Sequence, residues 1–327
     1  MKYLIIPILL FCANAAIGQS TFVVDDFSDR YFGKVYISDT SEVFSKGWVA
    51  IFDKRTKKQL MKVTADELSF DPDNPKIRSN VKELPYGEQS QIMYEDLNFD
   101  GKKDLALMDG QNSCYHGPSF QIYLAVRTGF VRSPAFTRLA QDYCGMFNVD
   151  HQTKKINTMT KDGCCWHQYS EFIVKNNRPV AVKIVEEGMN PDGITRDLVE
   201  QTLVGGKMRR WQTRIFDAEE QKESTFYSIE FSNGKIMRLV KLDDTLIYVF
   251  TDKGNVVELI HDGAFKYSRT ENVLSFTREK TTYRISTNGI SIKTSRNIIE
   301  LKADARTLTG SFPDLLNAKL DNVTIQQ

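Results

Sequence analysis

Apolar and polar residues alternate along most of this chain with a period of two, the signature of half-buried β-strands rather than helices. Residues 34–38 and 59–63 read this way, and 48–52 is a continuous apolar run of strand length. The polar stretch 53–59 between two such runs predicts a hairpin. Segment 71–89 carries Pro72, Pro75, Pro85 and Gly87 among charged residues, which predicts a surface excursion joining strands. Alternation resumes at 119–126, and again at 172–174 and 180–185 on either side of the turn Asn176-Asn177-Arg178-Pro179. Segment 197–203 fits one short helix and one more strand equally well.

Beyond Ser224 the pattern becomes a meander, with strand signals at 226–231, 245–250, 256–260, 273–276, 282–285 and 290–293. Asn233-Gly234, Asp262-Gly263 and Asn288-Gly289 separate them, and such pairs supply the positive φ angles that tight hairpins need. The expected fold class is therefore all-β, with two β-rich domains of sandwich or small-barrel type. The chain of 327 residues is long enough for about two domains. A boundary is expected between Gly188 and Gly206, where Asn190-Pro191-Asp192-Gly193 makes a turn and Gly205-Gly206 interrupts the pattern again. The two domains are placed at 19–200 and 201–327.

The N-terminus changes the compartment. Lys2 is followed by an apolar run through Cys12 and a small-residue stretch ending at Gly18, the layout of a secretory signal peptide over 1–18 with Gln19 as the new terminus and Ala15 or Ala16 as alternative cleavage points. A lipoprotein signal would need a small residue before Cys12, where Phe11 stands. The run is far short of the roughly 20 residues that cross a bilayer, and no later run is longer, so no membrane span is expected. The expected location is periplasmic or extracellular. With 43 Lys and Arg against 42 Asp and Glu there is no charge excess to hold nucleic acid, which is excluded as a partner.

Removal of the leader leaves Cys114, Cys144, Cys164 and Cys165, an even number that predicts two disulfides in an exported chain. Bonding the adjacent Cys164 and Cys165 to each other requires an unusual backbone geometry, so the sequence favours Cys114 and Cys144 each bonding one of the neighbours.

One motif carries specific chemistry. Residues 96–104 read Asp-x-Asn-x-Asp-Gly-x-x-Asp, with side-chain oxygens at every second position and once more after a glycine. Hard cations such as Ca2+ favour an oxygen cluster of this kind. Asp96, Asn98 and Asp100 can face one centre, Gly101 permits the sharp turn, Lys102 can lend its backbone carbonyl and Asp104 can close the shell. A helix-loop-helix calcium hand would carry glutamate at the twelfth loop position, which is Leu107 here. The flanks, 91–94 and 105–108, have strand character, so the loop is expected to join two strands of the first domain.

The stretch Tyr94-Glu95-Asp96-Leu97-Asn98-Phe99-Asp100-Gly101 with Asp104-Leu105, then 120–124, Gly129-Phe130 and Gly163-Cys164-Cys165, resembles calcium-binding periplasmic immunity proteins, relatives of lysozyme inhibitors. The resemblance covers roughly 84–187. A weaker likeness to the lysozyme-inhibitor meander extends over 246–250, 265–268 and 274–276. It implies that the chain binds and neutralises a peptidoglycan-degrading hydrolase or lysozyme-like effector, through a loop that maps onto no particular residues here.

A secreted glycan- or cell-wall-binding module is the alternative, since Trp48, Trp166, Trp211 and the many tyrosines offer surfaces for sugars. Catalysis is disfavoured. The chain has no His-Glu-x-x-His, no Gly-x-Ser-x-Gly and no phosphate-cradling glycine loop, and its four histidines are scattered. A propeller would repeat the Asp-rich motif, which occurs once. Asn322-Val323-Thr324 matches a glycosylation acceptor by chance as readily as by design.

Overall fold

The structure, a computed structural model, describes residues 20–84 and 86–327. The expected leader over 1–18, with Cys12 and the cleavage point before Gln19, lies outside the described residues. The fold is all-β, built of several antiparallel sheets with two short α-helices, and none of its sheets closes into a barrel among the described residues. Two compact units emerge. One runs up to Asp162 and includes Gln168–Ile184; the other comprises Gly163–His167 and Val185–Gln327.

The first unit contains two four-stranded meanders. β1 (Ser20–Val24), β2 (Tyr31–Ile37), β3 (Phe44–Asp53) and β4 (Gln59–Ser69) form one; β5 (Ile92–Glu95), β6 (Asp104–Gly110), β7 (Ser119–Val126) and β8 (Gly129–Arg132) form the other. The period-two pattern does what it predicts: alternate residues of β2 are buried, and Val35, Ile37, Val49, Ile51 and Leu68 meet Ile92, Leu105, Leu107, Phe120 and Ile122 in one core. A Cβ at Gly33 of β2 would stand 2.2 Å from Ile92 Cδ1, so a larger residue there would have to displace that terminal methyl from the core. β6 is buried along nearly its whole length. α1 (Pro134–Leu139), begun by Ser133 and Pro134, buries Phe136 and Leu139 and ties itself to β7 through the Thr137 hydroxyl, which accepts from the Ile122 amide at 3.1 Å. This helix is not legible in the strand pattern. Among its described residues the excursion over 71–89 is irregular chain apart from an isolated bridge between Lys82 and Gln89. β9 (Asn148–Asp150) pairs with β10 (Lys155–Asp162). β11 (Trp166–Lys175) and β12 (Arg178–Met189) then carry the chain onward, with Asn176 and Asn177 both at positive φ in the turn between them.

In the second unit the ambiguous segment 197–203 is strand. β13 (Thr195–Val204) pairs with β14 (Lys207–Phe216) across Gly205 and Gly206, both at positive φ. β15 (Thr225–Glu230), β16 (Ile236–Leu242), β17 (Thr245–Thr251) and β18 (Val257–His261) come next as a meander. β19 (Phe265–Ser268), β20 (Val273–Arg278), β21 (Thr281–Ser286), β22 (Gly289–Lys293) and β23 (Ile298–Lys302) make another. β24 (Thr309–Gly310) joins the edge of the first meander, then come the one-turn α2 (Asp314–Asn317) and β25 (Val323–Gln326), which pairs with β19 in parallel. An aromatic core fills the unit. Tyr227 stacks on Phe312 at 4.4 Å and Phe276 on Tyr283 at 4.6 Å, with Tyr248 and Phe265 against Phe276. Asn322, first residue of the glycosylation-like triplet, is committed to the fold: its amide nitrogen donates to the carbonyls of Leu246, Asp262 and Gly263 and its oxygen accepts from the Leu246 amide.

Both expected disulfides form, but their pairing corrects the sequence reading. Cys114 bonds Cys144, with Cα atoms 4.7 Å apart, and Cys164 bonds its neighbour Cys165, at 3.7 Å. The topology explains why. Cys114 opens a turn after β6 and Cys144 lies beyond α1, with its amide on the Met159 carbonyl, so the fold-back through β7, β8 and α1 returns one cysteine to the other. Cys164 and Cys165 stand together in the β10–β11 turn beside Gly163 at positive φ. The two cross-links close loops of very different length, 30 residues against 1. Replacing Cys114 and Cys144 by Ser is expected to cost about 3–4 kcal/mol in denaturant unfolding, and replacing Cys164 and Cys165 less than about 1 kcal/mol. Equal losses from the two pairs would contradict this account.

Candidate metal centre

The Asp-rich loop lies between β5 and β6, whose register pairs Glu95 with Asp104 and Ile92 with Leu107. Leu107, at the position where a calcium hand would carry its glutamate, is wholly buried in the core. The loop is therefore the connection of a β-hairpin, as its flanks imply. Two residues take left-handed backbone: Gly101 at φ 83° without cost, and Phe99 at φ 63°, held by its ring edge-on against His151.

Asp104 is the buried end of the loop, with no exposed surface. Its Oδ2 accepts from the Leu97 amide at 2.9 Å and its Oδ1 from the Ala125 amide of β7 at 2.7 Å, so one carboxylate joins the start of the loop to the neighbouring strand. Asp96 accepts from the amides of Asp100 and Gly101 at 3.1 and 2.9 Å, Asn98 Oδ1 shares the Asp100 amide at 3.2 Å, and Asp100 accepts from the Lys102 amide at 2.9 Å. Asn98 is itself buried, and its nitrogen donates to Asn177 Oδ1 at 3.2 Å. Lys102 is exposed, with its ammonium 3.7 Å from Asp100.

The donor chemistry fits a divalent cation. Burial pushes the Asp104 carboxyl up to about 6, against the lowering effect of its two amide donors, and the charges of Asp100 and Asp96 push in the same direction. The negative charges of Asp100 and Asp96 therefore act on a buried carboxylate, a setting that a cation would relieve. Asp96, Asn98, Asp100 and Asp104 would supply side-chain oxygens and Lys102 a carbonyl, each carboxylate oxygen keeping a lone pair beyond its amide partner. Among the described residues no three carboxylate, imidazole or thiol groups stand together as a preformed metal cluster. In this conformation the oxygens of Asp96, Asn98 and Asp100 accept from the loop's own backbone amides and those of Asp104 from the Leu97 and Ala125 amides.

An outer layer escapes the motif. Glu95 accepts from Lys82 at 2.9 Å and lies 3.2 Å from His151 Nε2, and the Asn80 side chain accepts from the Tyr94 amide at 2.7 Å. Glu95 adjoins the motif, but Lys82, His151 and Asn80 have no sequence signal that links them to it.

No family model matches this chain, and no curated protein matches it. Among solved structures, a Xanthomonas type IV secretion system related protein is similar over 60% of this chain and 94% of its own, with 19% identity and a TM-score of 0.47. TolB from Acinetobacter baumannii is similar over 88% of this chain and 66% of its own, at 12% identity and a TM-score of 0.21. A putative 6-phosphogluconolactonase from Bacteroides uniformis is similar over 89% of this chain and 85% of its own, at 9% identity and a TM-score of 0.19. These scores carry no functional assignment.

The titration of Asp104 has a definite sign. Its folded value of about 6 lies above the ordinary 3.8, so the folded state holds the proton more tightly. The stabilisation is present below pH 3.8 and is lost as pH rises through about 6. In metal-stripped protein, the stability of the wild type relative to Asp104→Asn is expected to fall by up to about 3 kcal/mol between about pH 4 and about pH 7 in urea unfolding. A difference that is flat or rises with pH would refute the assignment.

Proposed function

We propose that this chain is an exported, calcium-stabilised β protein that works by binding, and that its partner is a peptidoglycan-degrading hydrolase. The observation that carries the first part is the Asp104 carboxylate, buried at the end of the Asp96–Asp104 loop between two paired core strands and held protonated more readily by burial and by the charges of Asp100 and Asp96. Calcium there would neutralise charges that otherwise repel, and would fix the β5–β6 turn and with it the sheet that carries β7. The two disulfides fit an oxidising compartment. Among the described residues no helix is long and apolar enough to cross a membrane. The hydrolase is the partner class implied by the sequence resemblance around the loop.

Calorimetric titration of metal-stripped protein is expected to show uptake of one Ca2+ per chain. At a hundredfold excess of calcium over Kd the folded state gains about 2.7 kcal/mol, read as a raised unfolding midpoint. Asp100→Ala, which removes an exposed-side donor without opening the core, is expected to abolish both heat and shift. Absence of heat in the wild type would remove the metal reading. Separately, a panel of muramidases and related hydrolases is expected to contain one that the protein inhibits more strongly with calcium than with chelator. Calcium uptake with no enzyme bound would leave the metal centre standing and overturn the partner.

A further inference from the structure

The first unit contains a cleft of about 620 Å3 whose floor is formed by the end of the excursion over 71–89 and by the turn after β6. This is the size range of sites that hold small ligands. Three aromatic side chains line it while remaining more than half exposed: Phe44 at 52%, Tyr86 at 56% and Tyr115 at 57%. Rings in such positions are normally buried for their apolar area, so three exposed ones around one cleft form a surface prepared for contact. Two are fixed in place by one cation: Lys161 Nζ lies 4.6 Å from the Tyr86 ring centre and 4.7 Å from that of Tyr115. Tyr115 and His116 both take left-handed backbone, at φ 52° and 56°, a cost that the adjacent Cys114–Cys144 cross-link holds in place.

The floor is neutral and polar. Gln91 and Gln111, 8% and 7% exposed, line it with Gln89 and Ser90. The Gln91 amide donates to the Ser69 carbonyl at 2.6 Å, and the Gln89 oxygen accepts from the Met146 amide at 2.9 Å. Gln111 is less well satisfied: its nitrogen reaches the Met108 sulfur, a weak acceptor, at 3.8 Å. Of the charged residues lining the cleft, Asp71 and Glu88 balance Lys76 and Arg78, and Arg78 and Glu88 pair with each other at 2.8 Å.

We propose that this cleft binds a neutral pyranose oligosaccharide. Sugar rings present apolar C–H faces that stack on aromatic rings, and hydroxyls that both donate and accept, as the carboxamides of the floor do. The charged lining residues cancel and the one further cation, Lys161, is held against the two tyrosine rings, so the cleft offers an ionic ligand little net attraction. This site goes beyond the calcium and hydrolase reading and uses none of the loop's residues.

The test is saturation-transfer NMR, with calorimetry, on the full chain in calcium, using chitohexaose, cellohexaose and maltohexaose as probes and a neutral hexapeptide as the contrast. At least one sugar is expected to bind. The double variant Tyr86→Ala, Tyr115→Ala is expected to weaken it about tenfold, and Tyr86→Phe, Tyr115→Phe to retain it, since the rings and not the hydroxyls make the platform. Circular dichroism checks that each variant is folded. Sugar binding that survives loss of both rings, binding of the hexapeptide alone, or no binding of any sugar would each overturn the proposal. Because calcium uptake is measured on the same sample, failure of the cleft and failure of the metal reading are distinguishable.

Discussion

A carboxylate with no access to water is costly unless its oxygens are satisfied, and Asp104 meets that requirement with two backbone amides from different places in the chain. Hydrogen bonds to charged groups are the stronger kind, of order 1.5–3 kcal/mol each. Their placement matters as much as their strength. Leu97 is the loop residue that enters the core and Ala125 is near the end of β7, so a single side chain decides how the β5–β6 turn sits against the next strand. The same residue is the one whose charge the loop's other aspartates oppose. Structure and electrostatics therefore pull differently at one atom pair, and a bound cation would bring them into agreement.

The rest of the first unit is arranged to tolerate this. β6 is apolar over Leu105–Met108 and buried along nearly its whole length in the core shared with the opposing sheet, so the residue that begins it is drawn out of water whatever its charge. A strand exposed on one face would have left Asp104 hydrated, and the loop would then be an ordinary polar turn. The buried acid thus results from the strand behind it, and the loop's amide network results from the acid.

Much of the fold was legible because its strands obey the period of two. The strand over 119–126 matches the sequence pattern residue for residue, and Asn288-Gly289 falls at the β21–β22 turn. The features that escaped did so for specific causes. α1 is too short to show a helical period, and only Ser133-Pro134 marks its start. Segment 197–203 was undecidable because strand and helix share its few apolar positions; pairing with β14 settles it. The disulfide pairing depended on how β7, β8 and α1 return the chain to Cys114, which is a fact of topology and not of spacing. At the candidate site the oxygen-bearing positions were legible from the motif, but the depth of each was not. Nothing in Asp-x-Asn-x-Asp-Gly-x-x-Asp distinguishes the exposed Asp100 end from the buried Asp104 end.

That asymmetry bears on how calcium would act. The turn is already shaped by its own hydrogen bonds: Asp96 holds the amides of Asp100 and Gly101, and Gly101 and Phe99 have adopted the backbone angles the reversal needs. The backbone of the turn would need little change, but the oxygens of Asp96, Asn98 and Asp100 would have to turn from their amide partners, and the cation's main contribution would be to the charge. The loop's exposed carboxylates can relieve repulsion by turning toward water, whereas Asp104 cannot. The coupling between metal and fold should therefore concentrate at the buried oxygen pair and pass from there, through the Leu97 and Ala125 amides, into the sheet.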